Sequence, residues 1–461
     1  MAEPLKNIYD SNYIETLGVS LKNVEPLFDD KSFQVQIFNF QWQGYELKQR
    51  ASHICRCIHE ELAVKAGLSF QQICEILKVA GEDFGGYAGL FFPEYIERNG
   101  LEHWEISMDA LEVLTEFSSA EFAIRPFIER YPEQTMSKML SWSQHENHHV
   151  RRLSSEGCRP RLPWASALKE FKKNPSSILP ILENLKNDSS LYVRKSVANN
   201  LNDISKDHPE LALKIGKAWL KGSSKETQWI VKHGLRTLLK ASHQEALCLF
   251  GLAELEGLQF NHFKLHTPFL GMGERLSFQF DLQLERKSLV RIEYALHFKK
   301  KSGDYGRKVF KLSEMELDKG EYEVTKEHLF KEISTRVYYQ GVHFLEIIIN
   351  GKTFHKEPFF LSLTLNQVSH SYYIYMIYTS KNTIYTGVTT EPARRFQEHL
   401  TGKKGAKYTK VFNPLAFIHL EGAEDRSSAQ KRESALKKLS RHQKESLSGH
   451  KLSLLKELFN I

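Results

Sequence analysis

The stretch HHVRRLSSEG, His148–Gly157, returns twice in altered form, as LYVRKSVANN (Leu191–Asn200) and TQWIVKHGLR (Thr227–Arg236). Each copy carries an apolar residue, then one or two basic residues, then small or polar ones, and the copies start about 35 to 45 residues apart. That is the spacing of stacked two-helix repeats. A single helix pair cannot bury its apolar face alone, so the pattern predicts an α-solenoid of HEAT-like helix pairs. Stacking would align the basic second helices along one concave face.

Outward from these copies, apolar residues up to about residue 260 recur at three and four. LEVLTEFSSAEFAIRPFI and ILPILENL are examples, with Pro, Gly and Asn-Asp breaks between segments. From about 265 to 365 the period changes to two: Leu276, Phe278, Phe280, Leu282 and Leu284 alternate with polar residues, as do Ile292, Tyr294, Leu296 and Phe298. Asn350-Gly351 after FLEIII is a hairpin-turn signal. A β-sandwich of Ig-like type is predicted there. A polar joint, TLNQVSH, leads to a last segment that mixes strand-like pieces (YYIYMIYT, TIYTGV) with helix-like ones (EPARRFQEHL, SSAQKRESALKKLSR), a small α/β unit. The fold expected is therefore multidomain: solenoid over 1–262, sandwich over 265–364, α/β unit over 371–450.

The 461 residues are 41% hydrophobic and 26% charged, an ordinary globular balance. No apolar run reaches the roughly 18 residues of a membrane span, and no charged-then-apolar leader is evident. Cys55, Cys57, Cys74, Cys158 and Cys248 are scattered, odd in number and without C-x-x-C spacing, which points to reduced thiols and a cytoplasmic protein. The net charge is +7, but residues 371–461 hold 16 Lys/Arg against 8 Asp/Glu, so the basic excess sits in the tail. Such a segment suits a polyanion, with nucleic acid the leading class.

His145-Glu146-Asn147-His148-His149 matches H-E-x-x-H, the zinc-protease pattern. The extended form needs Gly and His where this chain has Arg152 and Ser155, and Arg151 and Arg152 would set two cations against the metal. A zinc protease is not expected.

The same stretch, HVRRLSSEGCRPRLPW, together with SAEFAIRPFI (Ser119–Ile128), SVANNLNDISKDHP (Ser196–Pro209) and WIVKHGLRTLL (Trp229–Leu239), resembles the AlkC family of DNA-alkylation-repair glycosylases. KVFKL (Lys308–Leu312) and TRVYYQGVHFLEIIINGK (Thr335–Lys352) extend the resemblance through the Ig-like domain, over roughly residues 1–363. It implies removal of the cationic N3-methylated bases 3-methyladenine and 3-methylcytosine from bent duplex DNA, without full base flipping and without a cofactor. Such a base is already an activated leaving group. The site then needs anions near the cationic base and sugar, and a carboxylate to position water. The family motifs place Glu121, Glu156 and Asp203 in that role, Trp164 beside the lesion, and Arg152 on the backbone or on Glu156. Glu121 with Arg125, and Arg152 with Glu156, are spaced as i,i+4 pairs of a helix face. Arg125, Arg151, Arg159, Arg161, Arg194, Lys195 and Lys232 are expected to contact DNA along the concave face.

Residues 373–445 resemble a GIY-YIG nuclease domain of the short bacterial type. Tyr373-Ile374-Tyr375 stands for G-I-Y, Tyr385-Thr386-Gly387 for the second half-motif; EPARRFQEH supplies Arg395 and His399, GAKYT follows, and KRESALKKLSR supplies Glu433. The resemblance implies Tyr375 or Tyr385 activating water with help from His399, Arg395 stabilising the transition state, and Glu433 holding one Mg²⁺. Lys403, Lys404 and Lys407 are further DNA-contact candidates, and Gly387 is expected to let the chain turn into the helix. The leading Gly is replaced by Tyr373, and the Asn of larger relatives has no counterpart. The expectation is a monomeric repair enzyme acting on duplex DNA with alkylated bases, away from membranes, whose tail nicks nearby DNA. The alternative is a damaged-DNA binder whose tail is a catalytically inactive clamp.

Overall fold

Val150, Val193 and Val231, the apolar residues that precede the basic ones in the three copies, are all fully buried. In the computed structural model, which describes residues 4–363, 371–401 and 405–448, they lie on the helices His148–Glu156, Leu191–Asp207 and Lys225–Gly234. The middle helix packs between the other two. It buries Val193, Val197, Leu201 and Ile204 along one stripe, and because it has neighbours on both sides it also buries Ser196, Asn200 and Asp203. Gly234 permits the close approach: a Cβ there would stand 2.7 Å from Leu201 Cδ2. The repeat extends to detail. Arg151 donates to the carbonyls of His145 and Glu146, and Arg194 to those of Asp188 and Ser189, the same five- and six-residue reach. Asn147 and Ser224 cap their helices by accepting from His149 N and Thr227 N.

These helices belong to the first of two compact units, Met1–Leu239; the second is Lys240–Ile461. Among the described residues, no helix is long and apolar enough to cross a membrane.

The second unit holds eleven strands among its described residues. In chain order they are β1 (Gln259–Leu265), β2 (Phe269–Gly271), β3 (Arg275–Leu284), β4 (Ser288–Lys299), β5 (Tyr305–Leu317), β6 (Gly320–Leu329), β7 (Gly341–Ile349), β8 (Lys352–Ser362), β9 (Tyr372–Thr379), β10 (Ile384–Thr389) and β11 (Pro414–Ala423). Sheets β1-β3-β6 and β2-β8-β7-β4-β5 form the sandwich, and only β2–β8 is parallel. The alternating residues of β3 and β4 face each other in its core, with Leu345, Ile347 and Ile349 of β7. Asn350 and Gly351 turn β7 into β8 with φ of 44° and 79°, the left-handed pair a tight hairpin requires.

β7 is buried at every position because its two faces serve two cores. Val342 and Phe344 point away from the sandwich interior and join Phe269 and Phe360 against Tyr373, Tyr375, Ile377, Phe396 and Phe417. That second core belongs to the sheet β10-β9-β11, whose opposite face packs Ile374 on Ala429 and Leu436 of the helix Arg426–Lys438. The joint TLNQVSH, Lys403 and Lys404 lie outside the described residues.

Candidate active sites

Glu156 ends the helix His148–Glu156, and the chain then runs irregularly through Arg159, Arg161 and Trp164. Asp203 comes from the neighbouring helix Leu191–Asp207, and Glu121 from the turn after the helix Trp104–Phe117. Their side chains form one unbroken series of alternating charge. Arg152 pairs with Glu121 and lies 3.5 Å from Glu156 Oε1; Arg159 donates to Glu156 Oε1 at 2.6 Å and to Asp203 Oδ2 at 2.9 Å. Lys206 closes the series on Asp203 Oδ1 at 3.0 Å. Glu156, Arg159 and Asp203 are buried. Burial pulls the guanidinium of Arg152 down, but Glu156 and Glu121 outweigh it and leave the group above its ordinary range. Arg159 is raised against the same burial by Glu156 and Asp203. Buried ion pairs cost desolvation that an apolar filling would avoid, so an array of this size points to chemistry rather than stability.

The array opens on a cleft of about 580 Å³ lined by Glu121, Arg152, Glu156, Arg159, Tyr192 and Trp164, among others. Asp203 does not line it and stands behind Arg159. Arg152 lies over the Tyr192 ring, 4.8 Å from its centroid. Trp164 is 62% exposed at the mouth, with its ring 6.4 Å from that of Tyr87. Its φ is 65°, a left-handed conformation costly for a bulky residue. Lys48 holds it by donating to the Trp164 carbonyl at 2.7 Å. Lys48, Tyr87 and Tyr192 were not found by sequence reasoning; Tyr192 lay inside a quoted repeat, whereas Lys48 is 116 residues from its partner.

Several expectations need correction. Glu121 and Arg125 do not share a helix face: Glu121 sits in a turn and the helix begins at Arg125. Arg125 is buried and donates to the carbonyls of Gly157 and Arg159, each at 2.9 Å, and of Ser166 at 2.6 Å. It pins the loop that carries Arg159 and Trp164, with its guanidinium committed to three carbonyls. Arg159 lines the cleft but is committed to Glu156 and Asp203. Arg151 and Arg161 are held by Asp188 and Asp207, while Lys195 is exposed and Lys232 half-buried. In the H-E-x-x-H stretch the helix starts only at His148, so His145 and His149 share no helix face. His145 faces Glu112 at 3.5 Å, and the His149 ring lies 5.7 Å from Tyr192.

In the second unit, Tyr375 of β9 pairs in register with Gly387 of β10. A Cβ at Gly387 would stand 2.5 Å from the Tyr375 hydroxyl. The glycine is therefore required by this close approach within a strand, not by a turn into the helix. The Tyr375 hydroxyl lies 2.8 Å from His399 Nε2 and 3.4 Å from Arg395 Nε. Thr409 Oγ1 donates to the Ala406 carbonyl, so at 2.6 Å it accepts a hydrogen bond from His399 Nδ1–H. That leaves Nε2 bare to accept from Tyr375. Burial, with Arg395 nearby, lowers His399 to about 4, which keeps the imidazole neutral. Burial also raises the Tyr375 phenol, and the Arg395 hydrogen bond opposes it. Tyr385 stacks on Tyr408, 5.8 Å between centroids, and lies 5.4 Å from the His399 ring.

Tyr375, Tyr385, Gly387 and Arg395 border a cleft of about 480 Å³ that also meets Arg394, Arg426 and Glu433, while His399 is buried behind Tyr375. Glu433 lies on the helix Arg426–Lys438 and pairs with Lys437 at 2.8 Å. One carboxylate beside arginines that can take phosphate fits Mg²⁺, which keeps much of its water and shares substrate oxygens. Thr409, Arg394 and Arg426 escaped sequence reasoning, although Thr409 ends the quoted GAKYT. Lys407 opens the short helix Lys407–Val411.

A helical stack with a buried carboxylate–guanidinium series, followed by a sandwich and a Tyr/His/Arg/Glu cleft, defines a DNA-processing enzyme, and similarity to known proteins agrees. Residues 111–233 match the family described as DNA alkylation repair enzyme, 259–363 the Ig-like domain named for the C-terminus of uncharacterised protein YhaZ, and 371–446 the GIY-YIG catalytic domain. The uncharacterized protein YhaZ of Bacillus subtilis is 42% identical over 349 residues, 76% of this chain and 96% of that protein. The solved structure of Pseudomonas fluorescens alkylpurine DNA glycosylase AlkC, bound to DNA containing an abasic site analog, aligns with a TM-score of 0.74 at 34% identity. It covers 78% of this chain and 100% of that one. The tail is 46% identical over 72 residues to a UPF0213 protein of Syntrophus aciditrophicus, 16% of this chain and 83% of that protein. The chain belongs to the AlkC family of DNA alkylation repair enzymes and carries a GIY-YIG nuclease domain behind its Ig-like domain.

Proposed function

We propose that the helical unit is a glycosylase that excises cationic N3-methylated bases, 3-methyladenine and 3-methylcytosine, from duplex DNA without full base flipping. The observation that carries this reading is the Glu121–Arg152–Glu156–Arg159–Asp203 series at the cleft. As the bond from sugar C1′ to the base breaks, its electron pair neutralises the methylated base and positive charge moves to the sugar. Glu121 and Glu156, held on one side of the cleft by Arg152, stabilise both charges; Glu156 positions a water and accepts its proton as the oxygen bonds to C1′. Arg159 fixes Glu156, Asp203 fixes Arg159, and Trp164 packs beside the lesion.

The tail is proposed to incise nearby DNA. Tyr375 passes its proton to His399 Nε2 as it takes one from the attacking water, whose oxygen bonds to phosphorus while the P–O bond to the sugar breaks. The sugar oxygen leaves with that electron pair and takes a proton from solvent, and Arg395 offsets charge on the phosphate. Glu433 would hold Mg²⁺, which supplies Lewis-acid stabilisation of phosphate oxygens. The protein would work as a cytosolic monomer on duplex DNA containing alkylated bases. Release of N3-methylated base from methylated duplex, without Mg²⁺, tests the first activity. Wild type should release 3-methyladenine, and Glu156→Gln should fall at least about tenfold, ~1.4 kcal/mol of barrier. DNA binding without release by wild type would instead leave a damaged-DNA binder, and loss of Mg²⁺-dependent cleavage a clamp.

A further inference from the structure

Tyr375 is held at both ends. His399 and Arg395 fix its hydroxyl, and Phe417 of β11 stands edge-on to its ring at 5.3 Å and 87°. Phe417 is in turn backed by two residues of the sandwich. Phe269 of β2 lies 5.6 Å from it and Phe360 of β8 6.3 Å, both near edge-on, and these two stack on each other at 5.4 Å and 6°. The path from sandwich to nuclease tyrosine thus has one intermediate ring. Around it, β11 packs on β7 and β8, and the helix Pro392–Thr401 on β2. Gln340 Nε2 donates to the Leu420 carbonyl at 3.0 Å and Lys299 Nζ to the Ser448 carbonyl at 3.5 Å. β2, only three residues long and buried at each, lies in this seam.

Resting on the nuclease reading above, we infer that the outer face of the Ig-like sandwich is a structural part of the nuclease site, with Phe269 and Phe360 acting through Phe417 as positioning residues for Tyr375. In this chain the sheet β10-β9-β11 shares one core with Phe269, Val342, Phe344 and Phe360 of the sandwich. A displacement of about 1 Å in a reacting group can cost two orders of magnitude in rate, so support of this kind reaches the chemistry. The nuclease is accordingly not a loosely tethered module, and the sandwich governs its turnover.

The test uses the full chain carrying Phe269→Ala with Phe360→Ala, beside the same positions changed to Leu. Mg²⁺-dependent cleavage of an abasic-site duplex should lose at least about tenfold in kcat with KM within about twofold, and the Leu chain should recover most of the loss. Base release by the helical unit should not change. Unchanged cleavage, or a loss confined to KM, overturns the inference. Two readouts separate its failure from that of the nuclease reading. With a protease site placed in residues 364–370, the cut tail should stay with the sandwich on gel filtration, and leave it in the Ala chain. Ultraviolet titration of Tyr375, taken as the difference from Tyr375→Phe, should move to lower pH in the Ala chain as water reaches a ring otherwise faced by Tyr385, Arg395, His399 and Phe417. A wild type that cleaves nothing yet passes both readouts refutes only the nuclease reading. A tail that leaves the wild-type sandwich once cut, or a titration that does not move, refutes this one.

Discussion

Asp203 is 1% exposed, and two cations take its two oxygens. Asp203→Ala would leave the buried Arg159 guanidinium with Glu156 as its remaining partner, so the cost should fall below the ~3–5 kcal/mol of a fully unpaired buried charge. The expected result is a clear fall in melting temperature together with loss of base release, whereas Asp203→Asn retains an acceptor and should lose less of both. A stable and active Asp203→Ala chain would remove Asp203 from the site. Gly387 offers the opposite kind of test, because its role is an absence of atoms. Gly387→Ala puts a methyl 2.5 Å from the Tyr375 hydroxyl and should lower strand cleavage about a hundredfold while base release continues.

Elements show a different dependence, on pH. His343, inside β7, donates from Nε2 to the Tyr339 carbonyl at 2.9 Å and accepts from Lys299 N at Nδ1, an arrangement only the neutral ring satisfies. His328 in β6 faces the Tyr294 hydroxyl at 2.9 Å. Burial, aided for both by neighbouring cations, lowers each to about 4. The unfolded chain, near 6.5, takes the proton first as pH falls. Stability from these two residues is therefore complete above about pH 6.5 and declines toward pH 4, by up to about 1.4 kcal/mol per pH unit for each histidine. Melting of the sandwich between pH 7.5 and 5 should show it, and His343→Gln should reduce the decline. Equal declines in the two chains would show that His343 does not titrate on unfolding.

At the scale of the whole molecule, the two proposed activities make different demands. Base release, as proposed, would rely on carboxylates already paired with arginines and on no metal, whereas the proposed cleavage would depend on Glu433 and Mg²⁺. A chelator should therefore stop strand cleavage and leave base release intact, and both should weaken steeply with salt because DNA binding releases counterions. Chelator-sensitive base release would mean a metal acts in the helical unit.

Much of this was legible in the chain itself. The repeat copies, the alternation of β3 and β4 and the Asn350-Gly351 turn are local patterns, set by periods of 3.6 and 2 and by the φ a residue tolerates. The acids and the Tyr/His/Arg/Glu set stood in short motifs, so resemblance to known families singled them out, and the roles proposed for them rest on that resemblance and on the geometry together. Helix spacing assigned Arg152 to Glu156, 3.5 Å apart, but not the partners that lie on other elements. Arg125 had the right spacing for Glu121, but the turn at 121–124 broke the shared face and burial sent its guanidinium to three carbonyls. The Lys48 strap on Trp164, the methyl-free gap at Gly387 and the second face of β7 join residues far apart in sequence or on adjacent strands. Periodicity and motif determined which elements form and which groups carry charge. Only packing in three dimensions decided that Arg151, Arg159 and Arg161 hold Asp188, Asp203 and Asp207, and that Phe269 and Phe360 stand behind Tyr375 through Phe417.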